Sequence, residues 1–361
     1  MNSGAGPWHI RGIDVAAQHS CDLWIRDGVL VEGPVPQAQT LRSECFILPG
    51  FVDAHCHIGL GPGGAVDLQT AREQARTDRD AGTLLIRDAG SPIDTHLFDD
   101  EPDLPRIIRA GRHIARPRRY LRNYAVEIDP DSLVDEVDRQ ARRGDGWVKL
   151  IGDWIDREQG DLAPLWEPGT ARRAIDRAHE LGARVTAHCF GEDSVAQLVG
   201  AGIDCIEHGT GISPEVIEEM ARRQVGLVPT LVNIANFPAI ADAGEARFPR
   251  YARHMRELHA HHLERLRSAR EAGVPIYAGT DAGGTVHHGR IGEEIVALGE
   301  LGDARFALGA GSWRARRWLG RPGLEIGAPA DLLVFDADPS RELAVCRRPG
   351  IVVLGGRPVP R

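Results

Sequence analysis

One lysine, Lys149, stands against 42 arginines among the 43 basic residues of this 361-residue chain. Other absences narrow the reading further. The net charge is −9, so the chain lacks the basic surplus that nucleic acid attracts, and no nucleic-acid partner is expected. No run approaches the roughly 18 apolar residues of a membrane span, which leaves no expected membrane partner. No basic stretch followed by an apolar run opens the chain, so no secretory signal is expected. The six cysteines (Cys21, Cys45, Cys56, Cys189, Cys205, Cys346) include no CxxC pair, and reduced thiols in a cytoplasmic protein are the expectation. No internal repeat or low-complexity tract is visible. Charged residues at 26% and hydrophobic ones at 42% fit a globular domain, and a homo-oligomer is left open.

What is present is a rhythm. Short apolar runs recur at Phe51–His55, Thr83–Arg87, Arg106–Arg109, Trp147–Ile151, Arg184–His188, Asp204–Glu207, Gly226–Thr230 and Ile276–Thr280. Between several of them lie helical patterns such as TARRAIDRAHELGA, SVAQLVGAG and SPEVIEEMARRQ. Continuous apolar strands alternating with helices predict an α/β chain with a parallel sheet. Eight such units point to a (β/α)8 TIM-like barrel over residues 49–319. A doubly wound open sheet is the alternative, but no Gly-rich nucleotide loop follows the first strand. The ends read differently. CDLWIRDGVLV, ADLLVFDAD and PGIVVLGGRPV alternate like half-buried strands, which predicts a small β-sandwich domain split between residues 1–48 and 320–361.

Barrel enzymes carry their chemistry at the C-terminal ends of strands. The first predicted strand ends in His55-Cys56-His57, the fourth contains Lys149, the fifth ends in His188, the sixth in His208 and the eighth in Asp281. His55 and His57, two apart on a strand, share a face, and alternation turns Cys56 and Cys205 towards the helices. Imidazoles and a carboxylate at one mouth suit Zn²⁺ or a similar divalent ion. An ammonium in a two-metal site would be repelled. A neutral amine can add CO₂ to become a carbamate that bridges two cations. Burial can deprotonate Lys but not Arg, which explains why GDGWVKLIGDW keeps the one lysine of the chain.

These residues together resemble the amidohydrolase superfamily. LPGFVDAHCH is similar to its first-strand metal motif, AHELGARVTAHCFG to the fifth-strand segment, IEHGTG to the sixth and YAGTDAGG to the eighth. IRDG and GAPADLLVFD resemble its split sandwich domain. The spacing and Lys149 look most like the binuclear carboxylated-lysine branch, related to prolidase-like dipeptidases and imidazolonepropionase-like proteins. The resemblance implies that His55, His57 and Asp281 hold one metal and His188 and His208 the other, with carboxylated Lys149 between them. Zinc is the expected metal, and Mn²⁺ or Co²⁺ accept the same ligands. Asp281 would act as general base and then general acid.

The implied reaction is hydrolysis of a C–N amide-type bond in a small N-acyl amino acid or dipeptide-like substrate. A cyclic amide, lactone or carbamate substrate is the first alternative, and a non-catalytic barrel used as a binding module the second. In GTVHHGRIGEE, His288 and Glu294 match a His-Gly pair and a Glu that follow the eighth strand in the dipeptidase-like group. The loop AGRHIARPRRYLRN departs from the family, with Tyr120 near the position of a His that binds the substrate carboxylate, and Phe190 stands where many peptidases carry Tyr. Arg112, His113, Arg116, Arg118 and Arg119 could bind an anionic substrate instead. The substrate-binding candidates are therefore Arg112, His113, Tyr120 and His288. The His-rich RHMRELHAHHLERLR reads as a solvated amphipathic helix, and Trp154 and Trp166 as either pocket or core.

Overall fold

The computed structural model of the chain describes residues 6–360. Strands and helices alternate through its middle, as the apolar runs predict. Phe51–Cys56, Thr83–Asp88 and Trp147–Ile151 are buried at every position, as strands covered on both faces must be. The helices between them carry their own start and stop signals. Asp67 caps Leu68–Asp80 by accepting from the Thr70 N–H at 2.7 Å. Pro214–Arg223 opens with Pro after the capping Ser213 and ends at Gln224 in the left-handed region. Pro168–Glu180 buries Ala171, Ala174, Ile175 and Ala178, one stripe at helical spacing.

The parallel strands form two sheets. One runs in the order Phe51–Cys56, Thr83–Asp88, Arg106–Arg109, and the other Ala125–Glu127, His113–Ala115, Trp147–Ile151, Arg184–Cys189, Cys205–His208, Gly226–Val228. Ile276–Thr280, predicted as an eighth strand, and the residues flanking it over 275–282 make bridges rather than a regular strand. They lie between the two sheets: Tyr277 donates to Leu227 O at 3.0 Å on one side, and on the other Asp281 donates to His55 O at 2.7 Å and His57 to Ala282 O at 2.8 Å.

Both ends of the chain meet in one seven-stranded sheet, where Trp8–Asp14 pairs in parallel with Gln39–Pro49 and Leu332–Phe335 adds antiparallel on the far side of Gln39–Pro49. The predicted sandwich needs a second sheet facing this one, and among the described residues the terminal strands supply only the one. No helix among the described residues is long and apolar enough to cross a membrane.

Candidate active site

The first strand does not run straight into its histidines. Its pairing slips between Asp53 (opposite Ile86) and Cys56 (opposite Asp88), three residues against two, which is a bulge. Val52, ahead of the bulge, and Ala54, within it, pack into the floor with Leu85, Trp147, Cys205, Val228 and Tyr277. His55 leaves the bulge beside His57 at the site, while Cys56 packs outward on Ala71 and Ala75 of the first helix. Asp53 fixes the kink, accepting from Thr280 Oγ1 at 2.6 Å, Thr280 N at 3.0 Å and His55 N at 3.1 Å.

Above the floor six rings close a circuit. Ring centres are 5.0 Å apart for His55–His57, 4.9 Å for His57–His113, 5.7 Å for His113–Tyr120, 5.6 Å for Tyr120–His188, 4.7 Å for His188–His208 and 5.1 Å for His208–His55. Lys149 Nζ lies 3.3 Å from His55 Nε2. Asp281 Oδ1 lies 3.1 Å from His55 Nε2 and 3.0 Å from His57 Nε2. The ligand atoms of His55, His208 and Asp281 all fall within 4.8 Å of one another, a group that could hold a metal ion. His208 and Asp281 both have φ near +60°, a region that non-glycine residues adopt at a cost of about 1–2 kcal/mol. Strain of this kind collects at functional sites.

Burial lowers four of the five imidazoles, whereas at His55 burial and Lys149 are outweighed by Glu207 and Asp281, which raise it. Burial lowers His57 to about 4 and His208 to about 3, and holds His188 and His113 well below the usual histidine range, with the nearby Lys149 adding to each shift. Burial also pushes the Lys149 amine down. Neutral imidazoles and a depressed amine are the ligand forms. Both ring nitrogens of His113, and Nε2 of His188, are buried without a hydrogen-bond partner. The unpartnered Nε2 of His188 and the close donor set of His55, His208 and Asp281 fit a divalent metal.

Several supporting residues escaped the sequence reading. Glu207 Oε2 lies 2.8 Å from His55 Nδ1, and its other oxygen accepts from Arg87 Nη2 at 2.5 Å. Burial alone would raise this carboxyl, but Arg87 and His55 hold it well below the usual range. Thr230 Oγ1 is 2.7 Å from His208 Nδ1, and Asn233 Nδ2 donates to Asp281 Oδ2 at 2.7 Å. Asp153 accepts from the N–H of Phe190 at 2.9 Å and of Gly191 at 2.8 Å, and lies 3.8 Å from His188 Nε2. A partner such as Thr230 at His208 Nδ1 fixes the tautomer and aim of a metal-binding ring. Strand alternation read from His208 turns Glu207 towards the helices, so no signal in the sequence marked it.

The predicted residues divide. His55, His57, Lys149, His188, His208, Asp281, His113 and Tyr120 come together. His288 does not join the rings: its Nδ1 faces Asp78 Oδ2 at 2.8 Å, on the first helix. Glu294 accepts from the N–H of Leu231 at 3.0 Å and of Val232 at 2.9 Å. Arg119 is bound to Asp156 at 2.8 Å and to the carbonyls of Trp154 and Ala163 at 3.2 and 2.9 Å. Arg116 reaches Leu165 O at 3.4 Å, Arg118 is exposed, and the Arg112 N–H donates to Gln140 Oε1 at 2.8 Å. Cys205 faces the floor beside Arg87 and Glu207 rather than the helices, because it shares the face of Glu207 two residues on. Trp166 is core, donating to Ile151 O at 2.8 Å, whereas Trp154 stands 5.6 Å from the His188 ring. His259, His261 and His262 lie on the long helix Pro249–Glu271, outside the circuit.

Comparison with known proteins places this geometry. The sequence model of the Amidohydrolase family matches residues 46–359. The uncharacterized protein Rv2915c of Mycobacterium tuberculosis is 56% identical over 351 residues, covering 97% of this chain and 95% of its own. A Xaa-Pro dipeptidase solved with methionine in its active site superposes with a TM-score of 0.83 at 21% identity, over 99% of this chain and 100% of that one. A prolidase complexed with N-methylphosphonate-L-proline gives a TM-score of 0.81 at 22% identity, over 99% of this chain and 98% of the other. At these identities the two structures speak for the fold, and the family match for the class of chemistry. The chain belongs to the amidohydrolase family, hydrolases of amide-type carbon–nitrogen bonds.

Proposed function

We propose that the protein is a metal-dependent amidohydrolase that cleaves the amide bond of a small N-acyl amino acid or dipeptide-like substrate. The observation that carries this reading is the circuit of five imidazoles and Tyr120, with Lys149 and Asp281 both at His55 Nε2. Its architecture is read as a (β/α)8 barrel over residues 49–319, closed by residues 275–282, with 1–48 and 320–361 as an appended β domain. Two divalent cations, zinc first and Mn²⁺ or Co²⁺ as equivalents, are assigned to His55, His57 and Asp281 and to His188 and His208, with a CO₂-derived carbamate on Lys149 shared between them.

Bound there, the metals supply Lewis acidity and ease deprotonation of water. The chain's own residues do the rest. Asp281 takes a proton at Oδ1, the oxygen that Asn233 leaves free, and returns it to the departing amine. The Glu207 carboxylate lies 2.8 Å from His55 Nδ1, an ion-pair contact that stabilises charge on that ring, and Thr230 holds His208 at Nδ1. The Xaa-Pro dipeptidase and the prolidase of the same fold support an amide or peptide bond as the target. No pairing of the six cysteines is seen, in keeping with a cytoplasmic enzyme.

Metal analysis of the reconstituted protein, followed by an amine-release screen over dipeptides, N-acyl amino acids, lactones and carbamates, tests the reading. Two metals per chain and turnover of amides are expected. Fewer than about 1.5 metals after full loading would refute the paired site. Turnover of lactones alone would refute the bond assignment.

A further inference from the structure

One side of the ring circuit is apolar. Phe190 lies 4.3 Å from the His188 ring and 4.9 Å from His208, with Phe237 packed behind it at 4.7 Å. Phe190 and Phe237 are buried, but Trp154 and Tyr120 at the front are partly exposed, meeting edge to face at 4.9 Å. Trp154 rides on the hairpin formed by Asp153–Asp156 and Asp161–Pro164, so its indole reaches over the His188 side of the mouth.

The same hairpin engages Arg119, one of the guanidiniums beside the ring circuit. Arg119 donates from Nη1 to Asp156 and from Nη2 to two hairpin carbonyls, so it braces Trp154 and both of its terminal nitrogens are already engaged. Arg116 turns to Leu165 O, also at the base of that loop. A carboxylate entering beside Tyr120 would find neither Arg119 nor Arg116 turned to it. An aromatic ring there would meet edges and faces suited to it.

We propose that Trp154, Tyr120 and Phe190 form a subsite beside His188 for an aromatic, uncharged group of the substrate. This deepens the amide-hydrolysis reading and rests on it for the position of the scissile bond.

The zinc-loaded, full-length protein is titrated calorimetrically with N-benzoylglycinamide, N-acetylglycinamide and N-benzoylglycine, and amine release from each is followed in parallel. The neutral benzoyl compound is expected to bind about tenfold more tightly than either of the others, the discrimination an apolar pocket gives. Trp154→Ala should abolish the benzoyl advantage, and Trp154→Phe, which keeps a ring on the same backbone, should retain it. Equal binding of benzoyl and acetyl compounds overturns the subsite, as does tighter binding of the anion. Loss of an anion preference in Arg112→Ala would then assign recognition to Arg112. The expected binding order without amine release from any compound leaves the subsite standing and refutes hydrolysis. Equal amine release from all three does the reverse.

Discussion

Asn233 donates its side-chain amide to Oδ2 of Asp281 across 2.7 Å, so the two oxygens of that carboxylate are divided between a fixed neutral partner and the imidazoles of His55 and His57. Asn233 sits on the short helix Leu231–Ile234, whose first amides are held by Glu294. Thr230, directly before it, holds His208 from a left-handed backbone. A single turn of chain thus aims two of the candidate ligands, from opposite sides of the site.

Removing that amide should loosen Asp281, whose Oδ2 loses its hydrogen-bond donor. Asn233→Ala is expected to lower kcat by about 10–100-fold with a smaller change in KM. Asn233→Asp should be worse, since it sets a like charge against Asp281. Steady-state kinetics on protein of known metal content check this, and an unchanged kcat in Asn233→Ala would deny Asn233 any orienting role.

Glu294 uses both oxygens as acceptors, which an amide cannot do. Glu294→Gln places an NH₂ against the N–H of Leu231 or Val232 and is expected to cost about 1–3 kcal/mol of stability, read by denaturant unfolding. Wild-type stability in this variant would mean that the helix Leu231–Ile234 needs no brace.

For Lys149 the decisive substitution is to the residue the chain otherwise favours. Lys149→Arg keeps the charge but cannot form a carbamate, so metal content should fall below two and activity by more than about 100-fold. Wild-type protein reconstituted in CO₂-free buffer should load more slowly than in bicarbonate. Full activity in the Arg variant would exclude the carbamate.

His254 joins three elements: its Nδ1 faces Asp161 of the hairpin at 2.9 Å and its Nε2 faces Glu192 at 2.9 Å, with Arg250 and Arg265 on the same carboxylates. Hydrogen bonding to Glu192, then to Asp161, raises its pKa from 6.5 to about 9, against the effect of burial. A raised folded-state pKa means that the imidazolium stabilises the fold fully at pH 6.5 and below, while its carboxylate partners stay ionised, and loses that effect as pH climbs through about 9. The gap in Tm between wild type and His254→Gln should therefore shrink between pH 6.5 and 9. A gap that widened with pH would show the opposite linkage.

Much of this candidate site was legible in the chain because strand-end motifs are local: HCH, EHG and GTD each present a candidate ligand at a predictable place. The supporting network was not. His208 follows Glu207 directly, and simple alternation allows only one of two neighbours to face inward; the positive φ of His208 lets both serve. His288 and Glu294 were placed by resemblance as followers of the eighth strand. Their partners, Asp78 and the amides of residues 231 and 232, are 210 and about 63 residues away, and one sequence carries no mark of such pairs. Arg119 failed as a substrate contact for the same reason: its neutralising partner Asp156 lies on another loop.

The terminal sheet has a consequence for biosynthesis. Gln39–Pro49, which leads directly into the first histidine-bearing strand, is flanked by Trp8–Asp14 on one side and by Leu332–Phe335 on the other. While the ribosome is still translating the middle of the message, one border of that strand has no mate. It presents bare amides and carbonyls until the last tenth of the polypeptide emerges, the interval in which a nascent chain of this topology is most exposed to chaperone capture and to pairing with its neighbours.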